Sequence, residues 1–71
     1  MNANFEYIRR YYGVPAEEGA RIRYTGDPDG AVNGTITGTN GPHILVRFDD
    51  SPGNSVLHPT WEVSYLTKEV Q

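Results

Sequence analysis

The chain of 71 residues lacks several features that whole classes of protein require. It has no cysteine, which excludes disulfide bonds, thiolate metal sites and cysteine nucleophiles. Its longest uninterrupted apolar run is Ile44 to Val46, far short of a membrane span or the core of a signal peptide. It also lacks a basic excess, because six Lys and Arg face nine Asp and Glu and leave a formal charge of −3. These absences predict a cytoplasmic protein without a membrane segment, and they argue against binding by nonspecific attraction to phosphates.

The residues that are present suit one small folded domain. Hydrophobic residues make up 37% of the chain and charged residues 21%, which is too apolar for a disordered protein. The length is about half that of a typical domain, so there is room for a single core. We therefore expect one domain over residues 1–71, without linkers or internal repeats.

The first segment has the pattern of an amphipathic helix. Phe5, Ile8 and Tyr12 recur at the spacing of one helix face, and Gly13 follows where a left-handed residue ends a helix. The pattern predicts a helix over residues 3–12. Such a short helix is not stable in water by itself, so we expect it to dock on the rest of the chain.

Over residues 19–66 the pattern changes from helical to alternating, and polar turn residues separate the short apolar stretches. Ile22, Ile36 and Val46 are predicted to point inward from three successive strands. The dipeptide Asn40–Gly41 predicts a hairpin between the second and third strands.

The end of this alternating region predicts a last strand over Trp61–Leu66. Its alternation places Trp61 inward, where we expect it to form the core with Tyr24 and Phe48. Strands this short and one-sided must curl to bury themselves, which a small antiparallel barrel achieves with few residues. The tail over 67–71 is predicted to be loose.

Three segments and a tight corner before the last strand carry a resemblance to a known group of folds. Gly19–Tyr24, Gly34–Gly38 and Ile44–Asp49 together resemble the strands of SH3-like small barrels, which include KOW, Tudor and CAP-Gly modules. The resemblance implies a mainly β fold, a small five-stranded antiparallel SH3-like barrel over 19–66 with one short N-terminal helix. Members of this group bind RNA, DNA, methylated peptides or proline-rich peptides, so the resemblance bears on fold more than on function.

A second resemblance covers nearly the whole chain. The segments Tyr12–Ala16, Gly19–Gly26 and His58–Leu66 are similar to small uncharacterised proteins of tailed bacteriophages and prophages, and His58–Trp61 is the most specific mark. The resemblance implies a phage or prophage origin and expression in a bacterial cytoplasm. It assigns no role to any residue.

The sequence shows no recognised spacing of catalytic or metal-binding residues. His43 and His58 are the only histidines, and a barrel of this size has little concave volume for a substrate. We expect no enzymatic activity, no cofactor and no metal. His58 is more typical of a residue that orders the corner before Pro59 by a hydrogen bond to nearby backbone, and Asp27–Gly30 is typical of a turn rather than a calcium loop.

Outward arginines form the first candidate binding set. The set comprises Arg21, Arg23 and Arg47 on predicted strands and Arg9 and Arg10 on the helix. Arginine forks bind phosphate or carboxylate, so the set is either a binding face or a group of cations that pair with the acidic residues and keep the surface soluble. If no carboxylate lies within the arginine stripe, a nucleic-acid ligand is favoured. If Glu17, Glu18 or Glu62 neutralises the stripe, a protein partner is favoured.

Tyr7 and Tyr11 form the second candidate set, because not all of the tyrosines fit inside so small a core. Exposed rings could stack on bases or on a proline-rich peptide, or pack at the seam between helix and barrel. The sequence therefore predicts a non-catalytic binding module that acts by protein–protein contact, and the second resemblance implies that it is a phage or prophage accessory protein. The alternatives are a nucleic-acid-binding barrel that uses the arginine face and a structural or assembly component of a virion. The oligomeric state is left open.

Overall fold

A computed structural model describes residues 3–66, and the predicted loose tail lies outside the described residues. The helix and strands, in chain order, are α1 (Ala3–Tyr12), β1 (Arg21–Tyr24), β2 (Val32–Asn40), β3 (His43–Phe48), β4 (Asn54–Leu57) and β5 (Val63–Tyr65). Within this part of the chain, no helix has the length and apolar character needed to cross a membrane.

Helix α1 begins and ends at the predicted residues. Its apolar positions Phe5 and Ile8 are buried against the sheet, as a docked amphipathic helix requires. Gly13 follows with a left-handed φ of 67°, and its N–H donates to the Arg9 carbonyl at 2.9 Å. The predicted helix and its glycine end are therefore both confirmed.

The five strands form one antiparallel sheet in the order β4-β3-β2-β1-β5. A hairpin joins β2 to β3, as predicted. Its loop lies one residue later than expected, at Gly41–Pro42, because Asn40 still pairs with His43. Gly41 has a φ of 60°, which suits the first loop residue of a type II′ turn.

One face of this sheet, together with α1, encloses the core. Its fully or nearly fully buried hydrophobic residues are Phe5, Ile8, Ala16, Ile22, Ile36, Ile44 and Val46. Tyr24 and Phe48 are partly buried beside them, with ring centroids 5.8 Å apart. The inward positions predicted for the first three strands are thus confirmed.

The sheet is bent along its longest strand. The pairing of β2 with β3 shifts register between Ile36 and Gly38, which marks a bulge, and a bulge increases the local twist. Among the described residues β4 and β5 remain the two edges, so strand pairing does not close the sheet. The mainly β fold of five antiparallel strands and one short helix is confirmed at this level.

Trp61 does not lie in the core, and this prediction was wrong. Strand β5 begins only at Val63, and Trp61 is 70% exposed in the turn before it. The cause is Glu62, whose left-handed φ of 59° breaks the alternation that an extended strand would have continued. The Glu62 carbonyl accepts a hydrogen bond from the Thr25 N–H at 2.8 Å, which holds this turn against the end of β1.

Candidate functional site

Five rings in mutual contact form a continuous surface from the helix to the corner before β5. We refer to Tyr7, Tyr11, Tyr12, His58 and Trp61 as the aromatic surface. Centroid distances along it are 5.3 Å for Tyr7–Tyr11, 4.9 Å for Tyr11–Tyr12, 5.1 Å for Tyr12–His58 and 4.2 Å for His58–Trp61. The two outer contacts are parallel stacks and the two inner contacts are edge-to-face, the two geometries that the ring quadrupole favours.

Much of this surface is open to solvent. Trp61 is 70% exposed, Tyr11 68% and Tyr7 48%, and these are three of the five large hydrophobic side chains exposed in the described part of the chain. The other two, Val56 and Leu66, are outside the surface. Clustered exposed apolar side chains mark interaction sites more often than scattered ones do.

Tyr7 and Tyr11 lie one turn apart, so the helix brings their side chains together. Both are exposed because they lie off the side of the helix that buries Phe5 and Ile8. Their rings stack with an interplanar angle of 12°, so each restricts the motion of the other. An open groove of about 540 Å³ runs along this side of the helix. It is lined by Ala3, Glu6, Tyr7, Arg10 and Tyr11.

The corner from His58 to Trp61 is fixed by hydrogen bonding. The Thr60 N–H lies 3.1 Å from His58 Nδ1, and because a backbone N–H can only donate, Nδ1 is the acceptor. Trp61 then stacks on the imidazole with an interplanar angle of 11°. The predicted role of His58, to order this corner through a backbone hydrogen bond, is confirmed.

Pro59 and Tyr65 hold the same corner from beneath. Pro59 is fully buried, and its carbonyl accepts a hydrogen bond from the Tyr65 hydroxyl at 2.9 Å. Burial of the Tyr65 ring raises the pKa of its hydroxyl to about 12, so it remains a protonated donor well into the alkaline range. Trp61 is thus exposed on a rigid support.

His43 extends the ring contacts toward β3, with its centroid 6.0 Å from that of His58. Over the described residues, no group of three or more histidine, aspartate or glutamate side chains is arranged to hold a metal ion. The predicted Asp27–Gly30 turn is confirmed: the Asp29 N–H donates to Asp27 Oδ1 at 2.8 Å, and the Gly30 N–H to the Asp27 carbonyl at 3.0 Å.

The three strand arginines share the outer face of the sheet, but Arg21 is not a free cation there. Arg21 makes a bidentate ion pair with Asp49, at 2.8 and 2.6 Å, and also donates to Thr35 Oγ1 at 2.7 Å. The hydrogen bond from Arg21 lowers the pKa of Asp49, and the same bond raises the pKa of Arg21. A carboxylate does neutralise Arg21, but it is Asp49 rather than any of the three glutamates considered from sequence.

Arg47 and Arg23 lie on the same outer face of the sheet. Strand β2 separates β1 from β3, so Thr35 lies between Arg21 and Arg47 in the register. Arg47 also lowers the pKa of Asp49 electrostatically, so a carboxylate lies close to both arginines of this row. Arg23 is exposed and pairs in register with Asn33 and Ser64 on its two neighbouring strands.

The two helix arginines have separate roles. Arg9 donates to the Ala16 carbonyl at 2.6 Å and ties the helix to the segment that leads into β1. Arg10 lies 3.9 Å from Glu6, one turn earlier, and both side chains are largely exposed. The structure therefore brings together Tyr7, Tyr11 and Arg10 from the predicted set, and it adds Trp61 and His58, which the sequence did not indicate as binding residues.

The comparisons with known proteins found no matching family model, no matching curated protein and no matching solved structure. The resemblances to SH3-like barrels and to tailed-phage proteins remain predictions.

Proposed function

We propose that the protein is a non-catalytic binding module that contacts a protein partner through the aromatic surface. The observation that carries the proposal is the exposure of Tyr7 and Tyr11 at one end of a series of touching rings and of Trp61 at the other end. Tryptophan and tyrosine are enriched among the residues that dominate binding energy at protein interfaces.

The support beneath the rings favours the same function. The Trp61 indole is stacked on a hydrogen-bonded histidine, and the Tyr7 and Tyr11 rings stack on each other, so little side-chain freedom is left to lose on binding. The nearest charges along the helix, Glu6 and Arg10, are of opposite sign. A surface of ordered rings with balanced charge suits a protein better than a polyanion.

Comparison of matched alanine variants tests the proposal. The tagged protein and its Trp61→Ala, Tyr11→Ala and Val56→Ala variants are used to capture partners from a bacterial lysate, with circular dichroism to verify folding. Val56 is the control because it is an apolar side chain 50% exposed outside the aromatic surface. We expect Val56→Ala to retain the partner and the two ring variants to lose most of it. Equal capture by all four proteins would contradict the proposal.

Nucleic-acid binding through the outer face of the sheet is the second candidate function. Its support is the exposure of Arg23 and Arg47 on that face, and the Arg21–Asp49 ion pair weighs against it. Amide NMR spectra recorded with short DNA and RNA at two salt concentrations test it. Shifts that cluster on these strands and diminish with added salt would favour this candidate, since phosphate contacts release counterions. Unchanged spectra would remove it.

For the fold, we infer an SH3-like barrel in which the sheet curls around the core. The support is the strand order, with the last strand beside the first, and the bulge that bends the nine-residue β2. A phage or prophage origin and a bacterial cytoplasmic location rest on the resemblance of His58–Trp61 and its neighbouring segments. A role in virion structure or assembly is a further alternative, which a defined ring of subunits in solution would favour.

A further inference from the structure

The outward face of α1 carries two parallel rows of side chains. One row is Ala3, Tyr7 and Tyr11, and the other is Glu6 and Arg10, each with a spacing of one turn. Both rows border the open groove, on the side of the helix opposite the buried Phe5 and Ile8.

These rows are complementary to themselves under a twofold rotation. When two copies of the helix lie antiparallel, the axis that relates them brings each row against the same row of the other copy, in reverse order. Glu6 then faces Arg10 and Arg10 faces Glu6, with Tyr7 beside Tyr11. The axis crosses the outward face at the height of residues 8 and 9 along the helix, the midpoints of the two pairs. A parallel arrangement would instead exchange the rows, so that Glu6 and Arg10 would face the tyrosine row of the other copy and lose their charge complementarity.

We propose that this face pairs with the same face of a second copy and forms a symmetric antiparallel dimer. The inference rests on the proposed function, because it gives the helix end of the aromatic surface a second occupant. The foreign partner binds the monomer through both ends of that surface, and the second copy competes with it for Tyr7 and Tyr11. The Glu6–Arg10 pair within one chain is long, at 3.9 Å, and both side chains are more than half exposed. Each charge is therefore available for a closer partner across the interface.

The area involved indicates a reversible dimer. The exposed parts of the Tyr7 and Tyr11 rings amount to about 250 Å² per copy. A standard interface buries roughly 800 Å² on each partner, so the flanking helix residues must supply the remainder. We expect association at protein concentrations on the order of 100 µM rather than a permanent dimer.

Charge reversal tests the pairing. Sedimentation equilibrium is recorded for the unaltered chain, for Glu6→Arg, for Arg10→Glu, and for an equimolar mixture of these two variants. The highest protein concentration is about 1 mM. Each single variant places like charges across the axis, so we expect its self-association to weaken by about tenfold or more. The mixture pairs an all-positive row with an all-negative row, and we expect it to form a heterodimer at least as tight as the unaltered homodimer.

A double variant and an unrelated ring provide the controls. Glu6→Arg with Arg10→Glu restores complementarity, so its association should match that of the unaltered chain. Trp61→Ala should leave the dimer intact while it removes the foreign partner. A chain that stays monomeric throughout this range, or a mixture no tighter than its components, would overturn the dimer. If Trp61→Ala still lost its foreign partner in that case, the proposed binding function would stand without it.

Discussion

Gly34 lies where two strands approach too closely for a side chain. A Cβ built at this position would be 2.6 Å from Val46 Cγ1, 3.0 Å from the Arg47 carbonyl oxygen and 3.1 Å from Phe48 Cδ1. Two of these atoms belong to side chains packed in or against the core, and the third belongs to backbone, so none of the three can move away without a cost in stability. Gly34→Ala should therefore destabilise the protein by about 1–3 kcal/mol, as overpacking of a core does. Urea denaturation measures the change.

Gly53→Ala is the matched control, because no atom lies within 4 Å of the Cβ it would add. We expect its free energy of unfolding to stay within about 0.5 kcal/mol of the unaltered value. Similar urea midpoints for the two variants would show that the close approach at Gly34 is absent in solution.

Glu62 is the residue that turns Trp61 outward, through its left-handed φ of 59°. Asparagine tolerates this conformation better than glutamate, so Glu62→Asn should stabilise the protein by about 0.5–1 kcal/mol. Glu62→Ala removes the same carboxylate but retains the steric cost, and we expect no gain from it. Thermal unfolding of both variants checks the prediction, and an equal gain in both would attribute the effect to the lost charge instead.

At the scale of elements, an exposed ion pair joins β1 to the turn after β3. The Arg21 guanidinium lowers the pKa of Asp49 in the folded protein below its unfolded value. The ionised carboxylate therefore favours the folded state: this contribution is complete above about pH 4 and is lost as the pH falls through the lowered folded pKa. Asp49→Asn removes it at every pH. The difference in unfolding free energy between the unaltered chain and Asp49→Asn should shrink as urea titrations move from pH 7 to pH 2.

Asp50→Asn is the control for this titration, since it removes the adjacent carboxylate and keeps the pair with Arg21. A difference that persists unchanged at pH 2 would mean that the Asp49 substitution acts through packing or backbone conformation rather than through charge.

Elements with a consistent period could be predicted from the sequence. Helix α1 follows from the spacing of Phe5 and Ile8 and from the glycine after its last turn, and β3 from the alternation of Ile44 and Val46. The start of β5 could not be predicted in this way. The residues from Trp61 onward continue the alternation of apolar and polar side chains. Glutamate is not a residue that normally indicates a left-handed backbone conformation.

The candidate site was less predictable than the elements, because it depends on contacts between distant segments. Tyr7 and Tyr11 were predicted because so small a core cannot bury every tyrosine. Their connection to Trp61 requires the docking of α1 beside the His58 corner, which no local pattern encodes. The pairing of Arg21 with Asp49 likewise depends on the register of three neighbouring strands.

At the scale of the whole molecule, helix and sheet share one core and should unfold together. Helix α1 supplies Phe5 and Ile8, two of the seven buried hydrophobic core residues in the part of the chain that the structure describes. Truncation of a fully buried isoleucine costs about 2–5 kcal/mol, and a chain of this size has only a few kcal/mol of stability in total. Ile8→Ala should therefore unfold most of the protein at 25 °C, with the sheet lost as well as the helix.

Amide NMR checks this prediction, because β2 and β3 report on the sheet independently of α1. Tyr7→Ala is the control: it shortens an exposed side chain on the same helix and should leave the dispersed spectrum of the folded state. Dispersed β2 and β3 amides in Ile8→Ala, with the helix signals lost, would mean that the sheet folds without α1. The aromatic surface would then depend on a separable helix, since two of its rings come from the outward face of α1 and a third from its last residue. Cooperative loss of both elements would instead make the surface a property of the single core that joins them.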